Sequence, residues 1–96
     1  MSQNPPDFFA YEDLTVAATS VGFTAATYLN ANYATVHVEG GPVRFRLDGG
    51  TPTATVGDTL EIGDDLILDS AHQVADVRFI RRDGASATLR ANFGVT

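Results

Sequence analysis

Val43 to Ile62, VRFRLDGGTPTATVGDTLEI, limits the possible folds more than any other stretch of the chain. Val43, Phe45 and Leu47 alternate with Arg44 and Arg46, and a period of two separates an apolar from a polar face only on an extended backbone. Asp48-Gly49-Gly50-Thr51-Pro52-Thr53 interrupts the run with residues that favour turns over ladders. After the Gly57-Asp58 turn a second alternation begins, with Leu60 and Ile62 assigned to the interior. So short a path through two strands points to a small antiparallel β module. It holds no set of residues that would run a reaction.

The same pattern recurs along the chain. Leu14 to Ala18 reads as a short strand, and Thr19 to Asn32 as a loop, with a helical turn over Ala25 to Leu29 as the alternative. Ala34, Val36 and Val38 alternate with Thr35, His37 and Glu39. Gly40-Gly41-Pro42 then predicts a β-hairpin into the Val43 strand. In that hairpin His37 and Glu39 share a face with Arg44 and Arg46, and a cross-strand ion pair there contributes about 0.2–1 kcal/mol. Leu66 to Leu68 is a further strand and Asp69 to Gln73 a connector. Val74 to Arg81 reads as a strand with Ala75, Val77 and Phe79 on one face. Arg82-Asp83-Gly84-Ala85 predicts a tight type I′ turn. Ser86 to Phe93 closes the pattern, with Ala87, Leu89, Ala91 and Phe93 facing in.

About seven short strands with turn residues between them predict an all-β fold, an antiparallel β-sandwich of jelly-roll or immunoglobulin-like order. The 96 residues suffice for one domain, residues 11–96, preceded by an extended N-terminal arm, residues 1–10. Pro5 and Pro6 fix φ and remove two N–H donors, so the arm's start suits neither a helix nor a central strand. Phe8, Phe9 and Tyr11 follow at once. They either cap the domain's own core or dock on a neighbouring subunit.

Composition narrows the function. The net charge is −6, from six arginines against twelve Asp and Glu. An acidic chain is ill suited to nonspecific phosphate-backbone binding, so no nucleic-acid partner is expected. No apolar run approaches the length of a membrane span, and the N-terminus lacks the basic start and apolar core of a signal peptide. There is no cysteine, which excludes a disulfide framework and, with only two histidines, disfavours a structural zinc site. A module this small usually gains stability from association. Arginine, with its planar fork, suits such interfaces better than lysine.

The candidates for chemistry are weak. Asp69, Ser70 and His72 supply the residue types of a nucleophilic triad, but sequence neighbours do not converge on one point. Seven acids and no base lie between Leu47 and Val77. Calcium takes six to eight oxygens, and Asp58, Asp64 and Asp65 are the best members of such a site, yet Asp beside Gly is also what a β-turn selects. His37 reads as a surface partner of Glu39 or Arg44. The glycine pairs lack the helix and lysine of a phosphate loop. The residues therefore predict no catalytic site, no metal and no cofactor: a binding protein, not an enzyme.

One resemblance extends this. Val43 to Arg46, Asp48-Gly49, Pro52-Thr53, Gly57-Asp58, Val77 to Ile80 and Ala87 to Phe93 occur in the order seen in small virion structural proteins of tailed bacteriophages. The chain resembles them from Tyr33 to Gly94, with Gly50 as an extra loop residue. The resemblance implies a head decoration (cement) protein on the capsid exterior, commonly a homotrimer, that braces the major capsid protein. On that reading Phe8, Phe9 and Tyr11 are the arm anchors, and Arg44, Arg46, Arg78 and Arg90 are polar interface contacts. A tail, neck or fibre-base subunit is the alternative within the virion, and a carbohydrate-recognition module the alternative outside it.

Overall fold

In a computed structural model that describes residues 5–96, the chain forms seven strands and two short helices. The strands are β1 (Asp7–Val16), β2 (Tyr33–Glu39), β3 (Val43–Arg46), β4 (Asp58–Leu60), β5 (Asp65–Leu68), β6 (Arg78–Arg81) and β7 (Ala87–Val95). The helices are α1 (Ala25–Tyr28) and α2 (Ala71–Asp76). A four-stranded sheet in the order β1-β7-β2-β5 lies against a three-stranded sheet in the order β4-β3-β6. Every ladder is antiparallel. The fold is the all-β sandwich that the alternation predicts.

β2 and β7 bury the faces their patterns assign. Ala34, Val36 and Val38 of β2, and Ala87, Leu89, Ala91 and Phe93 of β7, are all buried. So are Val43 and Phe45 of β3 and Phe79 of β6. Phe23, from the loop before α1, joins the two layers. Its ring lies edge-on to Phe79 at 5.4 Å and to Phe93 at 5.1 Å between centroids, and such pairs add about 0.5–1.5 kcal/mol each beyond their buried area.

The hairpin predicted at Gly40-Gly41-Pro42 does not form, because β2 and β3 belong to different sheets. Both strands have one wholly apolar face, and a fold over a corner lets those faces meet across the interior. In a flat hairpin they would lie side by side. Gly40 takes φ +87°, and a Cβ on Gly41 would lie 2.9 Å from the Ala85 carbonyl oxygen. The Arg82 to Ala85 turn makes a second corner, from β6 to β7, so it is not the tight hairpin of type I′ either. Gly84 is not among the residues with positive φ.

Three further expectations are corrected. Ile62 is 61% exposed, because β4 ends at Leu60 and the chain turns away before Ile62 can reach the interior. Val74 to Asp76 are helical: the Ser70 hydroxyl accepts the Gln73 N–H at 3.1 Å and starts α2. Val74 is consequently buried, Ala75 is exposed, and the strand begins at Arg78. Within Thr19 to Asn32 the helical alternative holds for Ala25 to Tyr28. Asp7 to Ala10 of the predicted arm are already strand β1; Met1 to Asn4 lie outside the described residues.

Candidate functional site

β1 is an edge of the larger sheet, and the candidate contact residues of the N-terminal segment lie on it. The register shifts between Phe8 and Ala10, so Phe9 sits in a bulge. Phe8 stands opposite Gly94, as does Tyr33 from the other side of β7. With no side chain between them, their rings approach to 6.1 Å over that glycine. Gly94 is required here, since a Cβ would fall 2.5 Å from the Asp7 carbonyl oxygen. Phe8 is 49% exposed, Phe9 46% and Tyr11 50%. The three rings therefore stay largely outside the domain's own core.

The outward face of this sheet continues from them in rows. One runs Tyr11, Asn92, Thr35, Ile67; the next runs Asp13, Arg90, His37, Asp65. Arg90 donates from Nε to Glu39 at 2.9 Å and from Nη1 to Asp13 Oδ1 at 3.1 Å. Tyr11, Glu39 and Asp13 together raise the Arg90 guanidinium above its ordinary range. His37 Nδ1 and Asp65 Oδ1 lie 2.7 Å apart. The partner predicted for Arg44 and Arg46, Glu39, belongs instead to Arg90, because the corner at Gly40 sends β2 and β3 to different layers.

Arg44, Arg46 and Arg78 lie on the smaller sheet, so the seven predicted contact residues do not form one patch. Arg44 donates to the Ala54 and Gly57 carbonyls at 2.8 and 2.9 Å and fastens the loop before β4. Arg78 reaches Ser20 at 3.3 Å through Nη2. Arg46 makes a two-pronged pair with Asp48, at 3.1 Å from Nε and 2.6 Å from Nη2. That bond, with the Gly50 N–H, holds the Asp48 carboxyl down at about 2. A Cβ on Gly50 would lie 2.5 Å from Arg46 Cζ, so the lack of a side chain at this position makes room for the guanidinium. An open cleft of about 600 Å³ lies beside this pair, lined by Phe45, Leu47, Val56 and Asp58 among others.

The residues weighed for chemistry are spread apart. Ser70 caps α2, and His72 is exposed in its first turn. Asp58 lines the cleft, Asp64 accepts the Glu61 N–H at 2.7 Å, and Asp65 pairs with His37. Among the described residues no group of three His, Asp or Glu side chains is placed to hold a metal ion. No described helix is long and apolar enough to cross a membrane.

Tyr33, Asp13, Glu39 and Ile67 belong to the outward face as much as the residues named from the sequence. The outward register of Thr88, Arg90 and Asn92 was the available signal, but pairing them with neighbours requires the strand order. No family model matches the chain, and neither a curated protein nor a solved structure matches it.

Proposed function

We propose that this chain is a structural subunit of a tailed-phage virion, a capsid decoration (cement) protein that binds the outer shell through protein contacts and has no catalytic role. The observation that carries the reading is the placement of Phe8, Phe9 and Tyr11 on one edge strand, each about half exposed. Fully burying an exposed large apolar side chain gains about 1.5–3 kcal/mol, and about half of each of these rings is still left to be covered. Self-association into a trimer on the shell would repeat a modest patch several times, and linked sites reach avidity that no single contact supplies. A tail, neck or fibre-base position in the virion would use the same surface.

Cosedimentation with expanded empty capsids, together with light scattering on the free protein, tests this. The wild type is expected to bind the shell. Phe8→Ser/Phe9→Ser/Tyr11→Ser is expected to bind at least about tenfold more weakly, a loss of about 1.4 kcal/mol or more, while still melting cooperatively. A protein that stays monomeric and ignores capsids sinks the proposal. A second reading, a small-ligand module such as one for carbohydrate, is supported by the cleft beside Phe45 and the Arg46–Asp48 pair. Saturable sugar binding that perturbs Phe45 to Asp58, with no affinity for capsids, would favour it.

A further inference from the structure

We propose that the open edge of β1 takes up an extended, basic segment of a partner protein as an added strand. This deepens the contact reading above and rests on it. β1 is hydrogen-bonded to β7 on one side alone, and among the described residues no other backbone group bonds to the backbone of Asp7 through Val16. Half of its N–H and C=O groups are therefore presented to a neighbour, and an unpaired edge of this kind is a template for another extended backbone. The bulge at Phe9 ends the regular ladder, so the added strand would run along Ala10 to Val16, where the register is continuous.

Charge selects the occupant. β1 carries Asp7, Glu12 and Asp13 and no basic residue. A second copy pairing β1 with β1 would therefore find no opposite charge in any register. The other open edge of the larger sheet, β5, is no better: Asp65 lies on it, with Asp64 and Asp69 at its ends. Like charges set across a strand pair are destabilising, so neither edge invites a copy of this chain.

A segment bearing Lys or Arg meets the opposite situation. Tyr11 and Arg90 both bond to Asp13 Oδ1, which leaves Oδ2 without a hydrogen-bond partner among the described residues. The Asp13 side chain is 49% exposed. Glu12 is already held by the Thr24 N–H and hydroxyl at 3.0 and 2.8 Å. Asp13 is thus the carboxylate available to a cation on the added strand. Tyr11 beside it offers a ring face to an arginine or to an aliphatic side chain.

The probe is a short synthetic peptide alternating valine and lysine, titrated into the full chain and followed by backbone amide protection. Binding is expected to protect β1 amides and to weaken as salt rises. Methylating alternate amide nitrogens along one edge of the peptide is expected to abolish binding, and a valine–glutamate peptide is expected not to bind. Asp13→Asn should weaken binding several-fold; its melting temperature is read in parallel, so that loss of fold is not taken for loss of affinity. Equal binding by the methylated peptide, protection away from β1, or no binding at all would overturn the inference. Capsid cosedimentation on the same sample separates the two claims. Shell binding without peptide binding leaves the decoration reading standing and removes the added strand.

Discussion

Asp48 shows how much one exposed side chain can fix. It pairs with Arg46 two residues earlier and accepts the Gly50 N–H at 3.0 Å, so one carboxylate closes the loop after β3 and holds the guanidinium along the cleft. The Arg46 hydrogen bond is the main cause of its depressed titration, from an ordinary 3.8 to about 2. A carboxyl that titrates lower when folded adds stability above its unfolded value and loses it as pH falls through its folded one. The contribution is therefore complete above about pH 4 and fades as pH drops toward 2. Asp48→Asn is expected to lower the urea midpoint slightly at neutral pH, and the gap from wild type should close near pH 2. A gap that is unchanged at low pH would mean the loop is held by packing and not by this carboxylate. The effect should be small at any pH, because solvent screens an exposed pair.

Among the elements, strands with a strict period of two were legible and everything that depends on a partner was not. β2 and β7 could be read residue by residue, because every inward side chain is apolar and every outward one is polar or small. The same apolar faces misled at Gly40-Gly41-Pro42: they are equally compatible with a hairpin and with a corner, and only the opposing layer decides. α2 shows a different failure. Ala75, Val77 and Phe79 alternate as a strand would and β-branched residues lean toward the strand, whereas Val74 and Val77 are spaced as on one face of a helix turn. The deciding group is the Ser70 hydroxyl, which accepts the Gln73 N–H in the helix's first turn. Removing it should be costly for so short a helix. Ser70→Ala is expected to destabilise the protein by about 0.5–2 kcal/mol, with exchange of the α2 amides accelerating before those of β7. Exchange that rises uniformly over the whole chain, or not at all, would show that burial of Val74 holds the helix without its cap. The contact surface was half legible: its aromatic residues stand out in the sequence, whereas their exposure and the two-sheet split of the arginines follow from strand order.

For the molecule as a whole, the weak point is the join between two layers of unequal size. The larger sheet has strands of up to ten residues, the smaller of four at most, so part of the larger sheet's inner face must be covered by something other than strands. Phe23 and Tyr28 do so from the segment around α1, Tyr28 lying 6.1 Å from Phe93. Among the described residues Phe23 alone touches an aromatic ring in each layer. Native stability runs at roughly 0.05–0.15 kcal/mol per residue, and a buried Phe→Ala change costs about 3–5 kcal/mol. Phe23→Ala should therefore remove a large share of the total and bring unfolding to much lower denaturant. Phe23→Leu keeps most of the volume but loses both edge-on ring pairs, so its cost should fall well between those of wild type and the alanine variant. The slope of the unfolding transition should stay constant across the series if the layers still separate in one step. A shallow or biphasic curve for Phe23→Ala would mean that each sheet retains structure after they part. A midpoint close to wild type would show that the layers are joined elsewhere, through the two corners at Gly41 and Ala85.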